Sequence, residues 1–416
     1  MMTMEEKKIA KVTIWSRTFV LMMVCSMCMS LSQFIVNPLI STYAAFLGAG
    51  SALVGLLTGL YYGVSVLLRP FSGPAIVFLD KKKVLLFSYG MGLIVNACYA
   101  AFSSIPMFIV ARALHGVQFS LMGSIAITIA GDSLPKEKMG SGLGIYSLGG
   151  AIATAIGPAV GITLRSWGES RFGEAGGFKS MFYAAVIFSA IATIPCLFIQ
   201  PKKHSKEEIA ASGAWYKNIV AAPSVPSATC NLFFAMAYSL FSAYMIPYAA
   251  ERGFSGISVF FTIYAVGLLV SRPASGKLTD RFGAVTVLYL AGVIFALAFV
   301  VLWRASSIGW VYFSAVLAAL GYGGANPAFH TICLQSMPGA RRGVASNTNF
   351  FGIDSGQFLG PTIGGFVISR LINTGHAYSL MYLLCGTIPL ALALLVLTLS
   401  KDYIVKRLAD VAEKDN

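Results

Sequence analysis

Asp354 is the residue of this sequence whose position most invites chemistry. Nearly all of the sixteen Asp and Glu fall in polar stretches or at their edges, whereas Asp354 lies about ten residues inside a largely apolar run. A carboxyl at such depth is the kind of group through which a membrane protein takes up and releases protons. A structural alternative stands beside this. Hydrogen bonds to Asn347, Asn349 or Gln357 on the same run would make Asp354 a fastener rather than a proton carrier. His115 and His330, each inside another apolar run, are the next candidates for titration. Arg112 lies near one helical face with His115 and Gln118. An arginine so placed is costly and usually meets a cavity or a partner, although Arg112 is close enough to one end of its run to snorkel. Tyr322, Asn326 and His330 recur every fourth residue, so they share a face that would be expensive to expose to lipid. Phe234, Tyr238, Phe241, Tyr244 and Tyr248 form an aromatic stripe at helical spacing, a pattern that more often marks packing than a site. There are no clustered metal ligands, no nucleophile constellation and no glycine-rich Lys-Ser/Thr phosphate loop. The expectation is therefore neither an enzyme nor an ATP-driven pump, with no cofactor and no metal.

The elements that must position these side chains are membrane helices. The chain of 416 residues is 57% hydrophobic and only 11% charged, against about 25% charged in an ordinary soluble domain. Twelve runs have the length of about 20 apolar residues that spans a bilayer: 16–38, 51–72, 83–102, 105–131, 139–164, 178–200, 223–248, 256–276, 284–303, 308–333, 343–370 and 376–400. A single water-soluble core would not need twelve of them. The predicted fold is an all-α membrane protein of twelve transmembrane helices.

The formal net charge of +14 could suggest a nucleic-acid partner, so its placement decides its meaning. With both termini in the cytoplasm, 21 of the 30 Lys and Arg fall inside and six outside. Arg69, Arg112 and Arg272 fall within helices. This is the positive-inside bias, and it predicts a multi-pass protein of the cell (inner) membrane with no nucleic-acid partner. The first run follows a basic stretch and could pass for a signal peptide, but Gln33, Asn37 and Pro38 continue it into a working helix, and it is expected to be retained. All seven cysteines fall in predicted spans, where small apolar filler is the better reading, the Cys25–Cys28 spacing included.

A repeat organises the chain. Arg69-Pro70-Phe71-Ser72-Gly73 returns as Arg272-Pro273-Ala274-Ser275-Gly276 at a shift of 203 residues. The same shift carries Pro135 and Gly140 to Pro338 and Gly343, and Gly149, Gly157, Pro158 and Gly161 to Gly352, Gly360, Pro361 and Gly364. One offset across three separated segments points to duplication, six helices plus six. The predicted division is a bundle over 1–200, a polar cytoplasmic linker over 201–222 and a second bundle over 223–416.

With these motifs the chain resembles the major facilitator superfamily over nearly its whole length. Gly276-Lys277-Leu278-Thr279-Asp280-Arg281-Phe282-Gly283 is similar to the family's cytoplasmic loop signature. The resemblance implies a latch that favours one access state, set against a plain well-formed turn. In the first half, Val77 stands where the signature acid is expected, and Asp80 lies about a turn away. Gly149, Gly150, Gly157, Pro158 and Gly161 in helix 5 look like the glycine-proline signature of drug:proton antiporters, although Gly360 and Pro361 repeat the pattern in helix 11. Small residues four apart also let helices pack closely in lipid. Arg112 to Gln118 resembles the family's arginine-centred motif of helix 4. Gating is thus assigned to Arg69, Gly73, Gly157, Pro158, Gly276, Asp280, Arg281, Gly283, Gly360 and Pro361. In such a fold helices 1, 4, 7 and 10 surround the cavity. The resemblance therefore makes Gln33, Asn37, Arg112, Tyr238, Phe241, Tyr244, Tyr322, Asn326 and His330 cavity candidates.

The implied function is an alternating-access secondary transporter that exports a small organic molecule or drug in exchange for protons. Asp354, Arg112, His115 and His330 are the coupling candidates. An importer or uniporter of a sugar or organic acid is the alternative within the fold, and a multi-spanning receptor or enzyme the alternative outside it. The expected partners are the bilayer, a small-molecule substrate and protons, and the expected form is a monomer.

Overall fold

A computed structural model describes residues 13–49, 51–202 and 213–414. The basic N-terminal stretch and the charged core of the linker, 203–212, lie outside the described residues. The elements are α1 (Arg17–Val36, carried on by a 3-10 turn at Asn37–Leu39 and a short helix Ile40–Phe46), α2 (Ser51–Phe78), α3 (Lys81–Ala101), α4 (Ile105–Asp132), α5 (139–172) and α6 (174–196). The second set comprises α7 (Val225–Glu251), α8 (Ser258–Phe282), α9 (Ala284–Arg304), α10 (Ile308–Gln335), α11 (Arg342–Leu371) and α12 (377–414). Helices satisfy every backbone group within one segment, and lipid demands that.

Among the described residues, nine segments are long and apolar enough to cross a membrane. One of them, Lys136–Cys196, holds both α5 and α6, and α2 and α11 complete the twelve. The sequence placed a loop over 165–177; the chain is instead helical on both sides of Gly173, whose φ of 72° makes the corner. Arg165 bridges that corner at 3.9 Å from Glu174 and 4.0 Å from Glu169. Local signals set other ends. Ser16 Oγ accepts from Phe19 N at 3.1 Å to start α1, and Asp80 Oδ1 accepts from Lys83 N at 3.0 Å to start α3. Asp80 is thus spent on its own helix, and it does not stand in for the acid missing at Val77.

Each half has its own apolar core. Phe19, Met29, Tyr89 and Ile125, with Tyr43, Phe108, Phe178 and Phe182 nearer the far end, fill the first. Phe234, Phe241, Phe295, Phe299 and Tyr382 fill the second. The glycine stripes work inside the bundles. Gly149, Gly157 and Gly161 of α5 let Met27, Phe34 and Ile35 of α1 come so close that a methyl at Gly161 would stand 2.3 Å from Ile35 O. Gly352, Gly356 and Gly360 do the same for α11 against α7. Because consecutive helices run in opposite directions, the α2–α3, α4–α5, α8–α9 and α10–α11 turns share one end of the molecule. These turns carry Lys81, Lys82, Lys83, Lys136, Lys138, Lys277, Arg281, Arg341 and Arg342. We refer to it as the basic end.

Candidate functional site

Two helix pairs join the bundles on the basic side of the middle: α2 with α11, and α8 with α5. They are equivalent under the 203-residue shift, yet they are built differently.

In the α2–α11 pair, Asp354 meets Arg69. Three donors converge on Asp354 Oδ2: Arg69 Nε at 2.9 Å, Arg69 Nη2 at 2.8 Å and Ser65 Oγ at 2.8 Å. Both side chains are 1% exposed. Arg69 Nη1 turns the other way, to Ser120 O at 2.7 Å and Ser124 Oγ at 2.9 Å on α4. The guanidinium also lies 5.0 Å from the centre of the Phe350 ring. Asp354 Oδ1 is buried and accepts no hydrogen bond from the described residues. Asn347, one of the partners the sequence offered for Asp354, serves beside the pair instead. Its Nδ2 donates to Arg69 O at 2.5 Å, and its Oδ1 accepts from Ser72 Oγ at 2.7 Å and Ser124 Oγ at 3.3 Å. Asn349 bonds Asn231 and His330. The carboxylate therefore ties one bundle to the other rather than holding its own helix. Removing one member of such a buried pair leaves an uncompensated charge, which typically costs about 3–5 kcal/mol.

Nearer the basic end the same pair of helices is closed by other means. Asp132, at the end of α4, accepts from Lys81 Nζ at 2.7 Å and from Arg342 Nη1 of α11 at 3.0 Å. Val77 is buried with Val344, Ala345, Met337 and Ala221. Gly73 faces the segment that leads into the second bundle; a methyl there would lie 2.7 Å from Asn218 O. That segment is fixed to α11 by Ala221 N donating to Thr348 Oγ1 at 2.9 Å.

The α5–α8 pair carries its carboxylate at the end. Asp280 accepts from Gly140 N and Ser141 N, both at 2.9 Å, and from Ser141 Oγ. These amides open α5, where a helix has unsatisfied donors and a positive dipole end, so a carboxylate there is bound twice over. Gly140 and Gly276 allow the approach: a methyl on Gly140 would lie 2.5 Å from Asp280 Oδ1 and 2.9 Å from Gly276 O. Gly283 follows as the C-cap of α8 with φ 81°. Arg281, named with Asp280 in the signature, is exposed and lies over its neighbour Phe282. Deeper in, Arg272 stands where Arg69 stands in the other pair. It donates from Nη1 to Ser147 O, its Nε is buried without a partner, and no carboxylate pairs with it among the described residues. The position equivalent to Asp354 is Ala151, which is buried.

The remaining candidates separate into three groups. Tyr238 and Tyr322 face each other as parallel rings, centroids 4.2 Å apart and planes 1° apart, with Tyr264 6.1 Å from Tyr238. These rings belong to or pack on the aromatic core of the second half, Tyr322 also lying 5.8 Å from Phe295, and Gly323 and Gly324 next to Tyr322 meet Ser271 and Ser275 to either side of Arg272. Asn326 and Asn37 are half-buried. A second group lies inside single bundles. Phe241 packs 4.8 Å from Phe299, Phe234 packs 5.1 Å from Phe329, Tyr248 donates to Leu302 O at 2.7 Å, and Tyr244 donates to Pro361 O at 2.5 Å. Gln33 reaches Gln118 at 3.5 Å. The third group is the titratable candidates other than Asp354. Arg112 donates from Nε to Leu57 O at 3.0 Å beneath the Tyr61 ring, and His115 Nδ1 lies 3.3 Å from Tyr99 OH. His330 Nδ1 faces Asn349 Nδ2 at 3.1 Å. None of these three contacts crosses between the bundles.

Residue order grouped Arg69 with gating, marked Arg272 only as its repeat counterpart within a helix, and gave no role to Tyr264, Ser65 or Ser124. The shift of 203 was a signal for Arg272, since it names that residue as the twin of Arg69.

The chain is similar to known transporters along most of its length. The staphylopine export protein of Staphylococcus aureus is 23% identical over 385 residues, covering 87% of this chain and 90% of that protein. The multidrug resistance protein MdtG of Enterobacter lignolyticus is 23% identical over 353 residues, covering 80% and 81%. The crystal structure of the major facilitator transporter FucP superposes with a TM-score of 0.74 at 15% identity, covering 92% of this chain and 99% of that one. Twelve membrane helices, the repeated halves and a family profile that matches residues 22–361 and 228–413 lead to one assignment: this multi-pass membrane protein is a transporter and belongs to the Major Facilitator Superfamily.

Proposed function

We propose that the protein exports a small organic molecule across the cell membrane in exchange for protons, and that Asp354 carries the proton. The observation that supports this most is the Arg69–Asp354 pair, buried between two helices of different bundles, with one carboxylate oxygen left without a donor. Charged, Asp354 ties α2 to α11. Protonated, it loses its attraction to Arg69, while Arg69 keeps its bonds to Ser120 and Ser124 on its own bundle. The pair is thus a two-state contact whose strength depends on one proton.

The cycle follows from this. With the basic loops cytoplasmic, the closed basic end described above is the outward-facing arrangement. A proton arriving from outside neutralises Asp354 and permits the basic end to open. Release of that proton to the cytoplasm, together with substrate binding, re-forms the pair and turns the site outward. The moving units are 1–200 and 223–416, joined by 201–222, both termini are cytoplasmic, and a single chain suffices for the cycle. The names of two relatives, an exporter of staphylopine and a multidrug resistance protein, favour outward transport of an organic molecule.

Everted membrane vesicles test the reading. Acidifying their interior should drive accumulation of a fluorescent substrate by the wild type, a protonophore should abolish it, and Asp354→Asn at matched expression should reduce it to background. Protonophore-sensitive accumulation that survives Asp354→Asn would overturn the role of Asp354.

A further inference from the structure

We propose that Arg272, the stacked rings of Tyr238 and Tyr322 and the hydroxyl of Tyr264 form the substrate subsite, and that the subsite takes an organic anion, binding its carboxylate at Arg272. The proposal rests on the transporter reading and adds the class of substrate.

The repeat supplies the argument. Two arginines occupy equivalent places in α2 and α8, each preceding a proline inside its helix and each bonded to the opposite bundle. Arg69 is saturated: every nitrogen of its guanidinium has a partner, and Asp354 supplies the counter-charge. Among the described residues Arg272 has one carbonyl, an unpartnered buried Nε and no carboxylate, and the twin of Asp354 is Ala151. A guanidinium is a rigid fork matched to a planar carboxylate. The fork in α8 is therefore built, and among the described residues no carboxylate completes it. A transported anion is the group that can complete it and then leave.

The surroundings describe the rest of the substrate. Tyr322 of α10, stacked on Tyr238 of α7, adjoins Gly323 and Gly324, which pack on Ser271 and Ser275 to either side of Arg272, and Tyr264 of α8 carries a buried hydroxyl with no partner among the described residues. The rings already stack on each other, so the pair offers edges and outer faces to an apolar or aromatic body, and the Tyr264 hydroxyl offers a further donor to an oxygen of the ligand. No acidic side chain of the described residues stands in this group, so an organic cation would meet Arg272 without compensation. The favoured ligand is a carboxylate on a compact apolar frame.

Matched probes test this on the purified full-length protein. Binding of 1-naphthoate and benzoate is measured by thermal shift and fluorescence quenching against the corresponding amides, which keep the shape and remove the charge, and against ethidium as a cation. Wild type should bind each acid at least about tenfold more tightly than its amide. Arg272→Gln should erase that difference, Arg272→Lys should keep part of it, and Tyr322→Leu should weaken acid and amide alike. Equal binding of acid and amide, preference for ethidium, an acid preference that persists in Arg272→Gln, or no binding of either acid would each overturn the subsite. Asp354→Asn separates this proposal from the coupling: it should retain the acid preference while losing proton-driven transport. If it transports normally, the coupling falls and the subsite stands.

Discussion

The α2–α11 and α5–α8 interfaces descend from one arrangement, and the carboxylate that one helix of each pair brings to the contact now lies at a different depth. In α5–α8 it is Asp280, exposed at the basic end and held by two backbone amides and a hydroxyl. In α2–α11 it is Asp354, about 18 Å along α11 from Arg342 at 1.5 Å per residue and held by an arginine. Where one interface has an acid, the other has an apolar residue: Val77 answers Asp280, and Ala151 answers Asp354. The difference separates two tasks. A carboxylate on helix amides in water makes a modest clasp that needs no proton to open. A carboxylate on a buried arginine is costly to separate from it, and in the proposed cycle its opening is tied to protonation. An arginine left without its acid is free for a ligand.

The comparison can be broken most severely at the deep pair. Asp354→Ala should cost about 3–5 kcal/mol of stability, because it strands Arg69 in a dry interface, and should abolish proton-driven transport. A matching Arg69→Met change on that background should recover much of the loss in apparent melting temperature without restoring transport. Failure of the second change to recover stability would mean that the pair is not the source of the cost.

Making the two interfaces alike is the next largest perturbation. Ala151→Asp places a carboxylate opposite Arg272, as Asp354 stands opposite Arg69. The variant should lose its acid-over-amide preference and hold the basic end shut, read as slower labelling of a cysteine introduced at Thr279. Unchanged acid binding would show that Arg272 does not face α5 closely enough to be satisfied by it.

The smallest effects belong to the basic end. Asp280→Ala removes a helix cap and should cost about 1–2 kcal/mol, with faster labelling at the same cysteine and with transport shifted rather than lost. Val77→Ala removes two methyl groups from the small apolar cluster with Val344 and Ala345 and should cost about 1–2 kcal/mol. If Val77→Ala proved more damaging to transport than Asp280→Ala, the closing contact would be the apolar one.

Much of this was legible in residue order. The apolar runs gave the helices, the basic loops gave an expected orientation, and the offset of 203 gave two related halves. The stripes at Gly149 and Gly352 announced close packing, and α1 and α7 fill them. Asp354 stood out by depth. Other readings failed for a common reason: spacing shows which residues share a helical face but not what the face meets. Phe241 and Tyr248 share the stripe with Tyr238, yet Phe241 meets Phe299, Tyr248 donates to Leu302 O and Tyr238 stacks on Tyr322. The loop expected over 165–177 was helix because Gly173 turns the chain at one residue, without a polar linker.

The sequence by itself determined that this chain must cross the membrane twelve times, because apolar runs of that length have no other stable place and lipid allows their backbone only helices. It also determined that the chain holds one acid deep in that setting. Only the tertiary structure decided that Asp354 pairs with Arg69, 285 residues away, and that the equivalent Arg272 pairs with no acid among the described residues. An ion pair depends on which helix faces meet across the two bundles, and that choice is made by packing, which no spacing along a single helix records.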